Sequence, residues 1–220
     1  MRTLAVLPIK TFSRAKQRLG EAVVGVERRA LAEAMAGDVL EALGAVRGLE
    51  GVVVVSAEAV GIEAGDRSGV VDVVHDPDEA GQSAAAARGV RAAVARGAQR
   101  VLLVPGDCPA LDPDEVGTLL DTARAGVVIV PDRHGSGTNA LLIDPPSVVE
   151  PAFGPGSFAR HAALAHAAGA RVRVVHAPSL ELDVDTPGDL EALRAALGAR
   201  AGGAARTREL LARLAGAHAA

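Results

Sequence analysis

Residues 100–118 read RVLLVPGDCPALDPDEVGT. An apolar run of strand length leads into a turn at Gly106-Asp107, and a helix start follows at Asp112-Pro113. A side-chain acceptor at the cap, proline at the first helical position and acids in the first turn are typical of a helix N-terminus. The stretch therefore predicts a strand, a turn and a helix in succession, which is the repeating unit of an α/β fold.

The same alternation of valine-rich runs and alanine-rich stretches continues along the chain. Continuous apolar runs are typical of strands covered on both faces, so we predict a three-layer αβα sandwich around a mainly parallel sheet. In such sheets ligands bind beyond the carboxyl ends of the strands. The predicted strands span residues 4–9, 51–56, 70–76, 100–107, 127–132, 139–144 and 171–177. The predicted helices span about 27–46, 83–96, 113–125, 157–168 and 187–198.

Length and composition limit the possible functions. The chain has 220 residues, and we predict one domain over residues 1–198, followed by an Ala/Arg-rich tail or accessory helix over 199–220. The formal charge of −4 gives no general attraction to nucleic acid or membranes, and the lone Cys108 excludes an internal disulfide and a cysteine-rich zinc site. The sequence shows neither a cleavage signal nor an apolar run of membrane-spanning length. We therefore expect a cytoplasmic protein that binds neither nucleic acid nor membranes.

Positive charge is concentrated directly after the first predicted strand. The stretch LPIKTFSRAKQRL (7–19) contains both lysines of the chain, Lys10 and Lys16, together with Arg14 and Arg18. Ammonium and guanidinium groups suit phosphate oxygens, although a solvated helix face would explain the same pattern. The segment lacks the spacing of a Walker A loop. The pattern alone leaves both interpretations of these four side chains open, phosphate binding and a solvated helix face.

Acids follow two later segments. Asp107 lies at the carboxyl end of its predicted strand, where it could hold a hard divalent cation, or it could be a turn residue. Asp183 and Asp185 alternate in LELDVDTPGDL (180–190), so both would point the same way in an extended segment. Magnesium takes one or two carboxylates and uses substrate phosphates for further ligands. We assign the metal to Asp107 and Asp185, with Asp183 as the alternative second ligand; capping of the helix at Pro187 would be a purely structural role for Asp185.

Two glycine-rich stretches could bind an anion. In PDRHGSGTNALLI (131–143) the glycines free backbone amides, and in FGPGSFARH (153–161) they precede a helix start, which favours negative charge. A plain hairpin loop is the alternative for the first stretch. His161 and His166 are interpreted as residues of a polar helix face. The donors of the first stretch are Arg133, His134, Ser136 and Thr138, with glycines at 135 and 137.

Five of these motifs, taken in order, resemble the guanylyltransferases that act on phosphoenolpyruvate or 2-phospho-L-lactate in the biosynthesis of the deazaflavin coenzyme F-420. The resemblance extends from Leu4 to about Leu197. It rests on PIKTFSRAKQRL, PGDCPAL, PDRHGSGTNALL, FGPGSFARH and LDVDTPGDL. It implies a GT-A-like nucleotidyltransferase fold, GTP and Mg²⁺ as requirements, and pyrophosphate as the by-product. Where many relatives carry a Leu-Asn pair near the nucleotide base, this chain has Gln82-Ser83.

The resemblance also implies roles for individual residues. The phosphoenolpyruvate-binding positions fall on Thr138, Gly154 and Ser157, and the motif acids fall on Asp107, Asp183 and Asp185. The nucleotide contacts are assigned to Lys10, Arg14, Lys16, Arg18 and Gly106, and catalysis to Lys10, Lys16 and Asp107. The carboxylate of the small phosphorylated acid is expected to meet backbone donors or an arginine such as Arg133 or Arg160.

A guanylyltransferase acting on phosphoenolpyruvate is the function that these motifs favour. The alternatives are a 2-phospho-L-lactate guanylyltransferase, a nucleotidyltransferase of the same fold acting on a sugar phosphate or molybdopterin, and a glycosyltransferase that uses a nucleotide-sugar. A nucleotide-binding module without catalysis would bind GTP and release no pyrophosphate.

Overall fold

The computed structural model describes residues 1–12, 19, 23, 25–58, 69–122 and 126–217. Strands and helices alternate along most of this length, as the valine-rich and alanine-rich stretches predict. The strands are β1 (Thr3–Ile9), β2 (Val52–Ser56), β3 (Val70–His75), β4 (Arg100–Leu103), β5 (Gly126–Pro131), β6 (Thr138–Asp144) and β7 (Val172–Val174). The helices are α1 (Gly25–Gly44), α2 (Gln82–Ala95), α3 (Pro113–Thr122), α4 (Ser157–Ala167), α5 (Pro178–Glu181), α6 (Pro187–Gly198) and α7 (Ala205–Ala217).

The strands form one seven-stranded sheet in the order β3-β2-β1-β4-β6-β5-β7. The four neighbouring strands β3, β2, β1 and β4 run parallel to one another, and β7 runs parallel to β5. β6 is antiparallel to both of its neighbours, β4 and β5. The sheet is thus mainly parallel, and β6, the second strand of the β5–β6 hairpin, runs opposite to the other six strands. This reversal brings the start of β6 to the edge where β1 and β4 end.

Helices cover both faces of the sheet and make it the middle of three layers. One core cluster joins the sheet to α1, α3 and α5, and a second joins the opposite face to α2 and α4. Helix α2 approaches the strands closely at Gly89, where a Cβ atom would lie 2.3 Å from Cγ1 of Val6. The predicted three-layer α/β architecture is therefore confirmed.

A third cluster lies outside the sheet, between α1, α6 and α7. The carboxylate of Asp38 on α1 is buried and accepts hydrogen bonds from the backbone amides of Arg206 (3.1 Å) and Thr207 (2.8 Å) at the start of α7. The Arg206 guanidinium forms an ion pair with Glu41 at 2.6 Å. Helix α7 is thereby fastened to the main body, and the predicted boundary at residue 198 stays a prediction. Among the described residues, no helix is both long and apolar enough to cross a membrane.

Most elements lie within two residues of their predicted bounds, and three differ more clearly from the prediction. β4 ends at Leu103 instead of residue 107, because Val104 still donates to the Val6 carbonyl (3.1 Å) but Pro105 has no N–H with which to continue the ladder. β7 is shorter than predicted and lies at the edge of the sheet. The short helix α5 was not predicted, since four residues are too few to show a helical period.

Candidate active site at the carboxyl edge of the sheet

Most of the predicted site residues meet at one edge of the sheet. β1 ends at Ile9, so the exposed Lys10 stands at this edge, and the turn after β4 brings Gly106-Asp107 beside it. Leu103 near the end of β4 pairs with Leu141 of the antiparallel β6. Thr138, at the start of β6, therefore lies beyond the end of β4 and at the same edge.

Three carboxylates form an acidic trio at this edge: Asp107, Asp183 and Asp185. The backbone amide of Val184 donates to the carbonyl of Asp107 at 3.1 Å, which fixes the two acidic segments side by side. Val184 is fully buried whereas the aspartates on either side of it are partly exposed. Burial raises the pKa of Asp183, and the negative charges of Asp107 and Asp185 raise it further. The three carboxylates therefore act on one another electrostatically and concentrate negative charge at the end of β4.

Asn139 holds one member of the trio in place. Its side-chain amide donates 3.1 Å hydrogen bonds to Oδ1 of Asp183 and to the carbonyl of Glu181. The hydrogen bond to Asp183 lowers that residue's pKa and opposes the effects of burial and neighbouring charge. Asn139 is buried at the start of β6, so the hairpin strand positions an acid of a distant segment.

The chemistry of the acidic trio fits a hard divalent cation. Carboxylate oxygens are the ligands that Mg²⁺ prefers, and a cation would relieve the repulsion that raises the pKa of Asp183. Within the described ranges, no group of three His, Cys, Asp or Glu side chains is arranged to hold a metal ion. One or two carboxylates suffice for Mg²⁺ when substrate phosphates supply other ligands. The trio thus fits a metal that binds together with a nucleotide.

Capping of α6 does not use the side chain of Asp185. The cap residue is Thr186, whose hydroxyl oxygen accepts from the Asp189 amide at 3.3 Å, while the Asp189 carboxylate accepts from the Thr186 amide. The backbone amide of Asp185 also donates to Oδ2 of Asp189, at 3.0 Å. The helix-cap interpretation of Asp185 is therefore wrong, and its carboxylate belongs to the edge of the sheet.

The first glycine-rich loop (residues 131–138) binds an anion of its own. The Asp132 carboxylate accepts hydrogen bonds from the amides of His134 (3.2 Å) and Ser136 (2.9 Å) and from the Ser136 hydroxyl (3.3 Å). Burial works against ionisation, but the amide of Gly137 and those of Ser136 and His134 outweigh it and lower the pKa of Asp132. A Cβ atom at Gly137 would lie 2.6 Å from Oδ2 of Asp132. The prediction that this loop frees its amides and donors for a ligand is wrong for His134 and Ser136.

The two candidate arginines are also engaged within the protein. Arg133 forms an ion pair with Asp189 at the start of α6. Arg160 donates from Nε to the carbonyl of Ala152 (3.2 Å) and from Nη2 to that of Pro155 (2.6 Å). Much of each guanidinium therefore tethers a loop to a helix, which argues against the expectation that either one binds the carboxylate of an acid substrate.

The second glycine-rich loop (residues 153–157) packs against the first. Gly154 has a φ of 109°, and the Ser157 amide donates to its carbonyl at 3.0 Å, which closes the turn before α4. The Phe158 amide donates to the Ser136 carbonyl at 3.2 Å and joins the two loops. These two amides at the start of α4 thus donate to carbonyls of the protein. The sequence analysis predicted instead that the start of this helix favours a bound anion.

His161 connects the positions predicted to bind the small acid. Its Nδ1 atom lies 3.0 Å from Oγ1 of Thr138, and its Nε2 atom accepts from the Ala152 amide at 2.8 Å. The ring is fully buried one turn after Ser157, and burial, together with the charge of Arg160, lowers its pKa to about 4. The interpretation of His161 as a polar-face residue is wrong, although His166 is exposed as expected.

The structure describes two of the five predicted nucleotide-binding residues, Lys10 and Gly106. Lys10 is exposed at the edge of the sheet, and the backbone amide of Thr11 donates to Oε1 of Glu79 at 2.9 Å, which ties this loop to the one after β3. Gly106 lies against Ala36 and Ile9. Three of the predicted cations lie outside the described residues: Arg14, Lys16 and Arg18.

The roles of three polar residues of this region were not predicted from the sequence. His161 could have been found from helical spacing, because Ser157, His161 and Ala165 form the buried stripe of α4. Asn139 could have been noticed as the only asparagine of the chain. Asp132 precedes a glycine-rich turn, which is a common place for an aspartate that accepts hydrogen bonds from following amides.

The arrangement matches a known family over almost the whole chain. The family model described as "Guanylyl transferase CofC like" matches residues 3–214. The chain belongs to this family. The matched range includes every segment of the acidic trio and both glycine-rich loops, and it also includes most of α7.

Individual relatives of this CofC-like guanylyl transferase carry two kinds of name. A phosphoenolpyruvate guanylyltransferase from Conexibacter woesei is 48% identical over 96% of this chain and 96% of its own length. One from Sphaerobacter thermophilus is 38% identical over 88% and 93%. A 2-phospho-L-lactate guanylyltransferase from Methanothermobacter thermautotrophicus is 35% identical over 86% and 83%.

The fold recurs in solved structures. A nucleotidyl transferase from Methanothermobacter superposes with a TM-score of 0.62 at 23% identity, over 90% of this chain and 99% of its own. At this identity the likeness shows the fold alone. It confirms the predicted nucleotidyltransferase fold for this member of the CofC-like family.

Proposed function

We propose that this protein transfers GMP from GTP to phosphoenolpyruvate and releases pyrophosphate, as a step in the biosynthesis of the deazaflavin coenzyme F-420. The observation that carries the proposal is the near-complete coverage by relatives that are named phosphoenolpyruvate guanylyltransferase. The acidic trio and the two adjoining glycine-rich loops at one edge of the sheet support it, since we assign the trio to a metal–nucleotide complex and the loops to a small second substrate.

The reaction forms one bond and breaks one bond. A phosphate oxygen of phosphoenolpyruvate attacks the α-phosphorus of GTP, and the bond from that phosphorus to the bridging oxygen breaks, so that pyrophosphate leaves with the electron pair. The attacking oxygen is already an anion, so no general base is required. Catalysis then consists of holding the two substrates in line and offsetting their negative charge.

Positive groups at the edge of the sheet offset the charge of the triphosphate in this proposal. Lys10 contacts the phosphates directly after β1, together with Lys16, Arg14 and Arg18 of the same segment. Gly106 lets the backbone of the turn after β4 approach the nucleotide. The role of Lys10 rests on its position at the carboxyl edge, and the roles of the other three rest on their place in the sequence after β1. All four rest on the affinity of ammonium and guanidinium groups for phosphate oxygens.

The acidic trio is proposed to hold Mg²⁺ through Asp107 and Asp185. Asn139 already occupies one oxygen of Asp183, so Asp183 is the second choice as a ligand. When bound, Mg²⁺ would neutralise charge on the phosphates of GTP and so favour departure of pyrophosphate. The protein's own contribution is to keep the two acidic segments together, which the hydrogen bond from Val184 to Asp107 does.

The small acid is proposed to bind between the two glycine-rich loops. Thr138 contacts the buried His161, Ser157 lies one helical turn before that histidine, and Gly154 forms the turn before Ser157. The left-handed backbone of Gly154 leaves room that a side chain would fill, because no heavy atom lies within 4 Å of the position that a Cβ atom would take. In this proposal the hydroxyl groups of Thr138 and Ser157 and the backbone at Gly154 bind the three-carbon phosphorylated acid.

Product analysis tests this proposal. The protein is incubated with GTP, Mg²⁺ and either phosphoenolpyruvate, 2-phospho-L-lactate or a sugar phosphate, and the products are identified by mass while pyrophosphate release is followed. Enolpyruvyl-diphosphoguanosine is expected as the main product, with no reaction when EDTA replaces Mg²⁺. Turnover with sugar phosphates alone would sink the proposal, and GTP binding without pyrophosphate release would indicate a non-catalytic module.

A 2-phospho-L-lactate guanylyltransferase is the second candidate. The relative from Methanothermobacter thermautotrophicus favours it, because that protein shares 35% identity with this chain and carries this name. The two acids differ only by one carbon–carbon double bond, so the same residues could bind either. The ratio of kcat/KM for the two acids decides between the candidates.

A further inference from the structure

The imidazole of His161 is enclosed by the loops that form the proposed acid seat. It is fully buried and makes two polar contacts, to Oγ1 of Thr138 at 3.0 Å and to the Ala152 amide at 2.8 Å. The Phe153 ring packs edge-on against it with ring centroids 5.0 Å apart. A side chain held on all sides in this way has a single orientation.

These contacts determine which nitrogen carries the proton. A backbone amide can only donate, so Nε2 of His161 must accept and cannot be protonated. A neutral imidazole carries one proton, which must then be on Nδ1. The lowered pKa of His161, caused by burial and by the charge of Arg160, keeps the ring neutral at physiological pH.

The proton on Nδ1 determines the direction of the Thr138 hydroxyl. Nδ1–H donates to Oγ1, so the hydroxyl accepts from His161 and its own hydrogen must point elsewhere. Within the part of the chain that the structure describes, Oγ1 has no hydrogen-bond partner other than this histidine. The Thr138 hydroxyl is therefore a donor whose hydrogen points away from His161.

We propose that His161 is a positioning residue, which turns the Thr138 hydroxyl so that it donates to an anionic oxygen of the small phosphorylated acid. The inference rests on the proposed function, because it assigns Thr138 to the acid. His161 does not touch the substrate and exchanges no proton with it. Without the Nδ1–H donor, the hydroxyl hydrogen is free to turn toward the histidine position and away from the ligand.

The tautomer is measured without substrate. Protein labelled with ¹⁵N at histidine is examined by imidazole ¹⁵N NMR at pH 7.5, and the His161 resonances are assigned by comparison with His161→Asn. We expect a protonated Nδ1 and an unprotonated Nε2. Protonation at Nε2, or a cationic ring, would overturn the proposal whatever the enzyme's substrate.

A double-mutant cycle then tests the role. His161→Phe keeps a planar ring and removes both polar contacts, and Thr138→Val keeps the shape of the side chain and removes the hydroxyl. We expect each to lower kcat/KM for the acid by roughly 10- to 100-fold, with little change in the KM for GTP, in line with the loss of one oriented hydrogen bond to an anion. The double variant should be no worse than Thr138→Val alone, because His161 acts through that hydroxyl.

Matched variants separate positioning from folding. Asn places an amide N–H near the position of Nδ1, so His161→Asn should have a higher kcat/KM than His161→Phe. Thr138→Ser keeps the hydroxyl and should retain most of the wild-type kcat/KM. Multiplicative losses in the double variant would show that His161 supports the loops independently of Thr138 and would overturn the proposal. A wild-type protein that converts no phosphorylated acid would overturn the proposed function and with it the assignment of Thr138 to the acid. The NMR result does not depend on turnover, so it would still show whether His161 carries its proton on Nδ1.

Discussion

The side-chain amide of Asn139 lies 3.1 Å from Oδ1 of Asp183, and this hydrogen bond opposes the burial and repulsion that raise the pKa of that acid. Removing the amide should raise the pKa of Asp183 further and disturb the acidic trio. We expect Asn139→Ala to need several-fold more Mg²⁺ for half-maximal pyrophosphate release, and more so at pH 6 than at pH 8, in line with the loss of a hydrogen bond to a charged group.

A Mg²⁺ titration of the initial rate at both pH values measures this effect. Gln99→Ala is the matched control, because it removes an exposed amide at the opposite edge of the sheet, where Gln99 accepts from the Arg2 amide. Identical Mg²⁺ dependence in wild type and Asn139→Ala would show that Asn139 does not support a metal site.

The acidic trio should divide into two proposed ligands and one supporting residue. Asp107→Asn and Asp185→Asn should each lower kcat by about 100-fold or more, since a metal ligand at the reacting phosphates supplies several kcal/mol to the transition state. Asp183→Asn should cost less, because Asn139 already holds one of its oxygens. Asp114→Asn, an exposed acid at the start of α3, serves as the control.

Steady-state rates with saturating GTP and Mg²⁺ rank these variants. Near-normal turnover of both Asp107→Asn and Asp185→Asn would refute the metal assignment. A larger loss in Asp183→Asn than in Asp185→Asn would exchange the roles of the two acids.

Lys10 should matter for GTP and little for folding. It is exposed after β1, and it takes no part in the three core clusters. We expect Lys10→Ala to raise the KM for GTP by roughly tenfold, the effect of losing about 1.4 kcal/mol of binding free energy, and to leave the melting temperature unchanged. Arg91→Ala, an exposed cation on α2, is the control, and equal KM values for the two variants would contradict the assignment.

His161 should make the stability of the fold depend on pH. Its pKa falls from 6.5 to about 4 on folding, so between these values the unfolded chain binds a proton that the native protein does not. This contribution is fully present above pH 6.5 and is lost as the pH falls toward 4. Between about pH 7.5 and pH 5 the loss amounts to about 2 kcal/mol.

Urea unfolding at pH 7.5, 6.5, 5.5 and 5 measures this loss in wild type and in His161→Phe. The difference between the two free energies of unfolding should shrink as the pH falls, because the variant has no imidazole at this position to titrate. Parallel curves for the two proteins would show that the buried ring does not have a lowered pKa.

Most of the fold could be predicted because its signal is local. Continuous runs such as VVVV in β2 indicate a strand covered on both faces, and Asp112-Pro113 starts α3 as predicted, with the Asp114 amide donating to Oδ1 of Asp112 at 2.8 Å. The direction of β6 could not be predicted in this way, since an apolar run reads the same in a parallel and an antiparallel strand. Direction depends on which neighbour the strand meets.

The candidate site was predictable only where residue type alone suggests the chemistry. Asp107 and Asp183 fall together because acids at strand and loop ends share one edge of the sheet. The use of the first glycine-rich loop was not predictable, because Asp132 competes with any ligand for its amides, and that competition depends on the path of the backbone. The burial of His161 depends in the same way on the packing of α4 against the sheet.

The packing of α2 gives a prediction about stability alone. A Cβ atom at Gly89 would lie 2.3 Å from Cγ1 of Val6 and 2.8 Å from Cγ2 of Val55. Both valines are buried in central strands and branched at Cβ, so neither side chain can turn away easily. Gly89→Ala should therefore lower the free energy of unfolding by about 1–3 kcal/mol, as overpacking a closed core does.

The control is a glycine in an open helical position. Gly216 on α7 has no heavy atom within 4 Å of a Cβ position, so Gly216→Ala should be neutral or stabilise by about 0.5–1 kcal/mol through the greater helix propensity of alanine. Thermal unfolding of both variants beside wild type gives the comparison. A Gly89→Ala protein as stable as Gly216→Ala would mean that α2 can move away from the sheet without loss, and that the close approach at Gly89 is not needed for the packing of these layers.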